Sequence, residues 1–184
     1  MVYFSGFTFR DESGLFDDWL LRSDYTVAGF SYGAIRALEY AHASRRRIER
    51  LILLSPAYFQ ETKERFRRLQ LEAYAKDPQN YLQRFALRCV EPCQDLDVAP
   101  YLGEGSEEEL RHLLEYRWDR AKFDALRKRG TKIEIFLGGK DRIVDTEAAR
   151  RFFSQVGICY FIKEAGHLLR PLLKSESSKE DANG

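Results

Sequence analysis

Tyr25-Thr26-Val27-Ala28-Gly29-Phe30-Ser31-Tyr32-Gly33-Ala34-Ile35 is the stretch on which the fold turns. Residues 25–28 read as a short strand. Residues 34–43 are rich in helix formers, with Ile35, Leu38 and neighbouring alanines on one side. Between the two stands Gly29-Phe30-Ser31-Tyr32-Gly33, of the form G-x-S-x-G. Ordinary usage of Gly and Ser would place that pattern by chance in roughly one chain in twenty of this length, so alone it decides little. Its context decides more, because a strand before and a helix after are what a nucleophile elbow requires. A serine in a tight strand-to-helix turn suffers close backbone approaches, which glycines on either side permit. The turn lifts the hydroxyl above the sheet edge, and the helix points its N-terminus at a developing oxyanion.

Outward from the elbow, strands and helices alternate. Residues 2–5 predict a strand closed by Gly6. Residues 11–22 carry Leu15, Phe16, Trp19 and Leu20 at the spacing of one helical face. Arg45-Arg46-Arg47 ends the helix of residues 34–43, where cations suit the dipole. Residues 51–54 are wholly apolar, the signature of a parallel strand buried on both faces. From residue 58 to about 116 the strand signal disappears. Phe59, Phe66, Leu69 and Ala73 predict one helical face, and Tyr81, Leu82, Phe85 and Cys89 a second. Ser106-Glu107-Glu108-Glu109 opens a third helix with a capping box. Residues 118–129 predict a fourth, stopped by Gly130. Ile133, Ile135 and Leu137 alternate with Lys132 and Glu134, predicting a strand with one face more buried than the other. Asp145 or Thr146 caps a helix running to Phe153, and residues 158–162 make the last strand. The pattern predicts an α/β protein with a mainly parallel sheet. Its parts are a core of residues 1–57 and 118–172, a helical insertion over 58–117 and a polar tail over 173–184.

Composition narrows the class. The 184 residues are 44% hydrophobic and 32% charged, the range of an ordinary globular domain. Thirty Lys and Arg against 29 Asp and Glu give a net charge of +1, without the footprint of a general nucleic-acid binder. No stretch approaches the ~18 apolar residues of a membrane span, and no signal peptide is expected. Cys89, Cys93 and Cys159 are odd in number and lack zinc spacing, so reduced thiols in a cytoplasmic protein are expected, with no metal.

A serine hydroxyl needs a base, and the base an orienting acid. Asp141 follows a strand in Phe136-Leu137-Gly138-Gly139-Lys140-Asp141, and His167 follows the last strand in Glu164-Ala165-Gly166-His167. Both lie past C-terminal strand ends, the rim where sites of open parallel sheets gather. Asp145 is the rival acid, although its place suits a helix start. His42 and His112 read as ordinary helix residues. The oxyanion donors expected of such an elbow are the N–H of Tyr32 and that of Phe7, in the turn after the first strand.

Gly29 to Gly33, Gly138 to Asp141 and Gly166-His167 together resemble the α/β-hydrolase superfamily, over residues 2–167. The resemblance implies a hydrolase of an ester, thioester or related acyl bond, without a cofactor, and a helical lid after the third strand. Only one predicted helix separates Ser5-Gly6-Phe7 from the elbow, so the fold would be a reduced one of about five parallel strands. That compactness narrows the likeness, together with Phe4-Ser5-Gly6-Phe7, Ala28 to Ile35, Arg68-Leu69-Gln70-Leu71, Lys76-Asp77-Pro78-Gln79 and Gly139-Lys140-Asp141. The chain resembles the BioV-type pimeloyl-[acyl-carrier protein] methyl ester esterases of bacterial biotin synthesis. The resemblance implies that Ser31 attacks the methyl ester, His167 moves the proton and Asp141 holds the ring. It also implies an acidic acyl-carrier protein as partner, for which Arg65, Arg67, Arg68, Arg84 and Arg88 are the docking candidates. A general carboxylesterase, an acyl thioesterase and a non-catalytic binding module are the other readings. Right-handed crossovers in one direction would put most helices on one sheet face. Little but the segment after His167 would then cover the other, unless helices rearrange or a homodimer forms.

Overall fold

The computed structural model describes residues 1–93 and 95–170. The predicted tail over 173–184 lies outside the described residues, as does the end of the core range at 172. Five strands form one parallel sheet in sequential order: β1 (Val2–Phe4), β2 (Thr26–Phe30), β3 (Arg50–Leu54), β4 (Lys132–Gly138) and β5 (Ile158–Ile162). Among the described residues six α-helices accompany them: α1 (Tyr32–Ala43), α2 (Glu64–Lys76), α3 (Pro78–Val90), α4 (Glu107–Glu115), α5 (Arg120–Lys128) and α6 (Thr146–Phe153). Among the described residues no helix is long and apolar enough to cross a membrane.

Alternation along the strands builds two cores. On one face Val27, Leu51, Leu53, Ile133, Ile135 and Leu137 pack with Ile35 and Leu38 of α1, Phe123 and Leu126 of α5, and Phe152 and Phe153 of α6. On the other, Ala28, Phe30, Ile52, Leu54 and Phe136 meet Phe9, Leu15, Phe16 and Leu20, with Cys89 and Val90 from the end of α3. The second face is therefore covered by much more than the Leu168–Leu169 segment expected from the sequence.

Its cover is the β1–β2 connection, which has the opposite hand to the crossovers through α1, α5 and α6. All four advance the same way across the sheet, yet this one runs over the opposite face. The usual hand follows from a helix packing back onto a twisted sheet. The connection holds only a short 3-10 turn, Glu12–Phe16, so that constraint is weak. The helix predicted over residues 11–22 is thus a correction. Asp11 is left-handed at φ 55°, and the Glu12 carboxylate is drawn inward by the backbone of Gly6.

Three smaller corrections follow. Phe59 precedes α2 instead of sharing its face, and α2 itself has no buried residue. Strand β4 is buried on both faces beyond Lys132, because Arg50 and Lys132 neutralise the Glu134 carboxylate inside. The three arginines from Arg45 lie past the end of α1, which stops at Ala43. The capping box, in contrast, forms as predicted: Ser106 accepts from the Glu109 N–H at 3.1 Å and Glu109 accepts from the Ser106 N–H at 3.2 Å.

Candidate active site

Ser31 stands between β2 and α1 with φ 52° and ψ −113°, a strained conformation for a residue with a side chain. The turn has no room to relax. A Cβ on Gly29 would lie 2.1 Å from the Gly33 carbonyl oxygen, and one on Gly33 would lie 2.0 Å from that of Phe4. Those approaches press the elbow onto the end of β1, beside Ser5-Gly6-Phe7. The Ser31 N–H donates to the Leu54 carbonyl at 2.8 Å, and its own carbonyl accepts from Ala34 and Ala57 at 3.1 Å each.

The structure brings Ser31, His167 and Asp141 into one chain of hydrogen bonds. Asp141 Oδ2 is 2.6 Å from His167 Nδ1, and Ser31 Oγ is 2.9 Å from His167 Nε2. An ionised carboxylate only accepts, so Nδ1 carries the proton and donates to Asp141. Nε2 is then free to accept from the Ser31 hydroxyl. Asp141 is itself held in place, since its Oδ1 accepts from the Ile143 N–H at 2.7 Å and the Val144 N–H at 3.2 Å. His167 is 0% exposed and Ser31 3%. The imidazole rests against the Phe30 ring, with centroids 5.0 Å apart. Its loop is set by close approaches as well: a Cβ on Gly138 would lie 2.2 Å from the Gly166 carbonyl oxygen.

The rival groups are elsewhere. Asp145 caps α6 by accepting from the Ala148 N–H at 3.0 Å. His42 lines a surface hollow with Arg45, Arg46 and Arg47. His112 on α4 has its Nδ1 3.0 Å from the Tyr32 hydroxyl, a link between insertion and elbow that the sequence did not announce. Burial, and then the nearby Glu109 charge, pushes the Tyr32 hydroxyl up. Cys89 is fully buried; burial, then the charge of Asp141, pushes its thiol up and leaves it a poor nucleophile. Among the described residues no group of three or more His, Cys, Asp or Glu is placed to hold a metal ion.

The two expected oxyanion donors have free amides. Among the described residues neither the Phe7 nor the Tyr32 N–H donates to a protein acceptor. The Phe7 ring is buried and meets Phe85 of α3 edge-on at 5.4 Å. Beyond Phe85 lies a cavity of about 290 Å³, walled by Phe59, Leu110, Leu113 and Ile143 and rimmed by Arg84, Arg88 and Arg142. Arg142 had no motif to mark it beyond its place next to Asp141. Arg67 and Arg68 line a separate groove with Arg111 and Arg117, and Arg65 lines neither.

The comparisons agree with this architecture. A model of the family described as serine aminopeptidase, S33, matches residues 18–169. No curated protein matches the chain in sequence. Among solved structures, an esterase from Exiguobacterium antarcticum superposes with a TM-score of 0.56 at 21% identity, over 77% of this chain and 59% of that one. A bromoperoxidase from Bacillus anthracis gives 0.62 at 16%, over 78% and 60%. BioG from Haemophilus influenzae gives 0.58 at 11%, over 91% and 87%. The chain spans about three fifths of the length of the first two. Identities this low speak for the fold, a reduced α/β-hydrolase; the family match, over most of the described residues, goes further. The chain belongs to the serine aminopeptidase S33 family of hydrolases.

Proposed function

We propose that the chain is a serine esterase in which Ser31, His167 and Asp141 act as nucleophile, base and orienting acid. The observation that carries this reading is the relay of 2.9 and 2.6 Å hydrogen bonds through a buried imidazole. Ser31 Oγ attacks the ester carbonyl as His167 Nε2 takes its proton. The Tyr32 and Phe7 N–H groups receive the oxyanion, and each such donor is worth roughly 2.7–4 kcal/mol in the transition state. Collapse expels the alcohol with the proton from His167, leaving an acyl-enzyme on Ser31. His167 then draws a proton from water, which attacks the acyl carbonyl and returns the serine.

The rim of the cavity argues about the substrate. Neither Ser31 nor His167 lines this cavity, which lies beyond Phe85, but Arg84, Arg88 and Arg142 border it and no carboxylate lines it among the described residues, whereas an aminopeptidase must accept a cationic α-amino group. Apolar walls under an arginine rim suit an acyl chain joined to an anionic carrier. This supports the methyl ester of pimeloyl-[acyl-carrier protein] as substrate, the reading that the sequence motifs also favour. Of the five docking candidates, Arg84 and Arg88 border the cavity, and Arg67 and Arg68 line a second groove. Residues 58–117 then act as a lid, since the triad is closed to solvent and an ester must enter past α2 to α4.

The test is a mass spectrum of pimeloyl-carrier methyl ester after incubation with the protein, with Ser31→Ala as control. Loss of one methylene from the carrier, dependent on Ser31, is expected. Loss of the whole acyl chain would mean a thioesterase. An unchanged carrier together with fluorophosphonate labelling of Ser31 would point to another ester. Reversing charge at Arg84 and Arg88 should lower kcat/KM for the carrier-linked ester, with a weaker salt dependence than the wild type.

A further inference from the structure

Among the described residues Glu12 is the most completely buried carboxylate, at 0% exposure. Its partners are neutral: Oε1 accepts from the Gly6 N–H and from the Tyr3 hydroxyl, each at 3.0 Å. Oε2 has no partner among the described residues. Burying a carboxylate without a cation is costly, and two neutral donors offset only part of that cost. Burial, and then the Glu12 charge, pushes the Tyr3 hydroxyl well above its ordinary range, so that group stays a donor.

What Glu12 holds is a glycine hinge next to the site. Gly6 directly precedes Phe7, and a peptide unit is planar, so the Phe7 N–H points opposite to the Gly6 carbonyl. That carbonyl accepts from the Phe9 N–H at 3.0 Å, one restraint on the plane after Gly6. The Glu12 carboxylate fixes the plane before it. Without the second restraint Gly6 retains the wide φ/ψ freedom of a glycine, and the Phe7 N–H can turn with it. No bulkier residue can stiffen the hinge, because a Cβ on Gly6 would lie 2.7 Å from the Phe30 ring. The same bond occupies the Gly6 N–H, leaving the Phe7 N–H as the donor this turn can offer.

We propose that Glu12 is a positioning residue, which pins the Gly6 hinge so that the Phe7 amide is already aimed at the oxyanion. The proposal rests on the serine-esterase reading above. It acts on the transition state, not on ground-state binding, so its mark is a loss in kcat with KM nearly unchanged.

The experiment combines steady-state hydrolysis of a p-nitrophenyl ester, fluorophosphonate labelling, thermal melts and amide hydrogen exchange at Gly6. Glu12→Ala is expected to lose kcat on the order of 10- to 100-fold, with KM within about threefold. Glu12→Gln, whose Oε1 still accepts from Gly6, recovers most of that loss. Tyr3→Phe removes the other bond to the same oxygen, so it lowers the melting temperature while kcat stays within about twofold. Should Glu12→Ala fail to fold, Glu12→Asp replaces it, one methylene too short to reach Gly6. Full kcat in a folded Glu12→Ala protein overturns the proposal, and so does a kcat loss in Tyr3→Phe that matches its stability loss. A Gly6 amide that exchanges like an unprotected one in the wild type overturns it without any appeal to catalysis. A protected Gly6 amide in a protein that takes no fluorophosphonate removes the esterase reading and, with it, the positioning role; the buried pin would remain as structure only.

Discussion

Gly33 occupies a place where a methyl group has no room. Its Cβ would fall within 2.0 Å of the Phe4 carbonyl oxygen and 2.5 Å of that of Ser5, both backbone atoms that cannot rotate away. Gly33→Ala should therefore destabilise the fold by about 1–3 kcal/mol or more and push Phe7 away from the elbow. Gly14, in contrast, has nothing within 4 Å of a built Cβ, so Gly14→Ala should stay within about 0.5 kcal/mol in the same melts. Asp141→Asn tests the tautomer argument: the amide can donate to Nδ1, which favours a proton on Nε2 and blocks acceptance from Ser31. A fall in kcat of about 10⁴-fold with retained fold is expected, and a loss under tenfold would show that His167 is oriented by something else. Ser31, Asp141 and His167 were all legible in the sequence because each sits in a local pattern, glycines and a strand end, that survives without knowledge of the fold. Glu12 and His112 were not. Glu12 looks like one more polar residue in a helical pattern, and His112 reaches Tyr32 across 80 positions of sequence.

Among the elements, α1 and α2 differ most. Helix α1 buries Ile35, Ala37 and Leu38 against the sheet, whereas α2 buries none of its residues and leaves Phe66 and Leu69 exposed. Its fixed points include the Tyr74 hydroxyl, which donates to the Gly105 carbonyl at 2.7 Å, and the Tyr81 hydroxyl, which donates to Gln70 Oε1 at 3.0 Å. Amides of α2 should therefore exchange at least about tenfold faster than those of α1, and equal protection would remove α2 as the moving part of a lid. The capping box of α4 makes a quieter test, since Ser106→Ala should cost about 1 kcal/mol through one lost N-cap bond. Periodicity found every helix from α1 to α6 because each has either an apolar face or a capping residue. It failed over residues 11–22, where the apolar spacing is helical but the glycine, serine and paired aspartates favour turns. The spacing of Leu15, Phe16 and Leu20 is met by a loop that lays those side chains on the sheet.

Across the whole molecule, a mainly parallel sheet was readable from alternating strands and helices, but the face taken by the β1–β2 connection was not. Handedness is a statement about three-dimensional paths, and the general rule assumes a helix that this connection lacks. That path places Trp19 against Phe136 at 5.4 Å and closes the face on which Glu134 is buried. Burial alone would raise the Glu134 carboxyl, yet hydrogen bonds from Lys132 and Arg50 outweigh it and hold the group below the ordinary carboxylate range. At Glu39 burial likewise raises, and Lys122 and Tyr116 outweigh it, tying α1 to α5 and to the chain just before α5. Both groups bind protons more weakly folded than unfolded. Their contribution to stability is thus complete above the unfolded value of about 4.3 and is lost as pH falls through the folded values. The melting temperature should fall between about pH 5 and pH 3, with the loss completed at more acid pH. Glu134→Gln should be less stable at pH 7 by roughly 1–2 kcal/mol, because two cations lose a charged acceptor. Its acid limb should be shallower, so that the two proteins converge toward low pH. Parallel curves that never converge would mean that Glu134 stabilises the sheet by shape and not by charge.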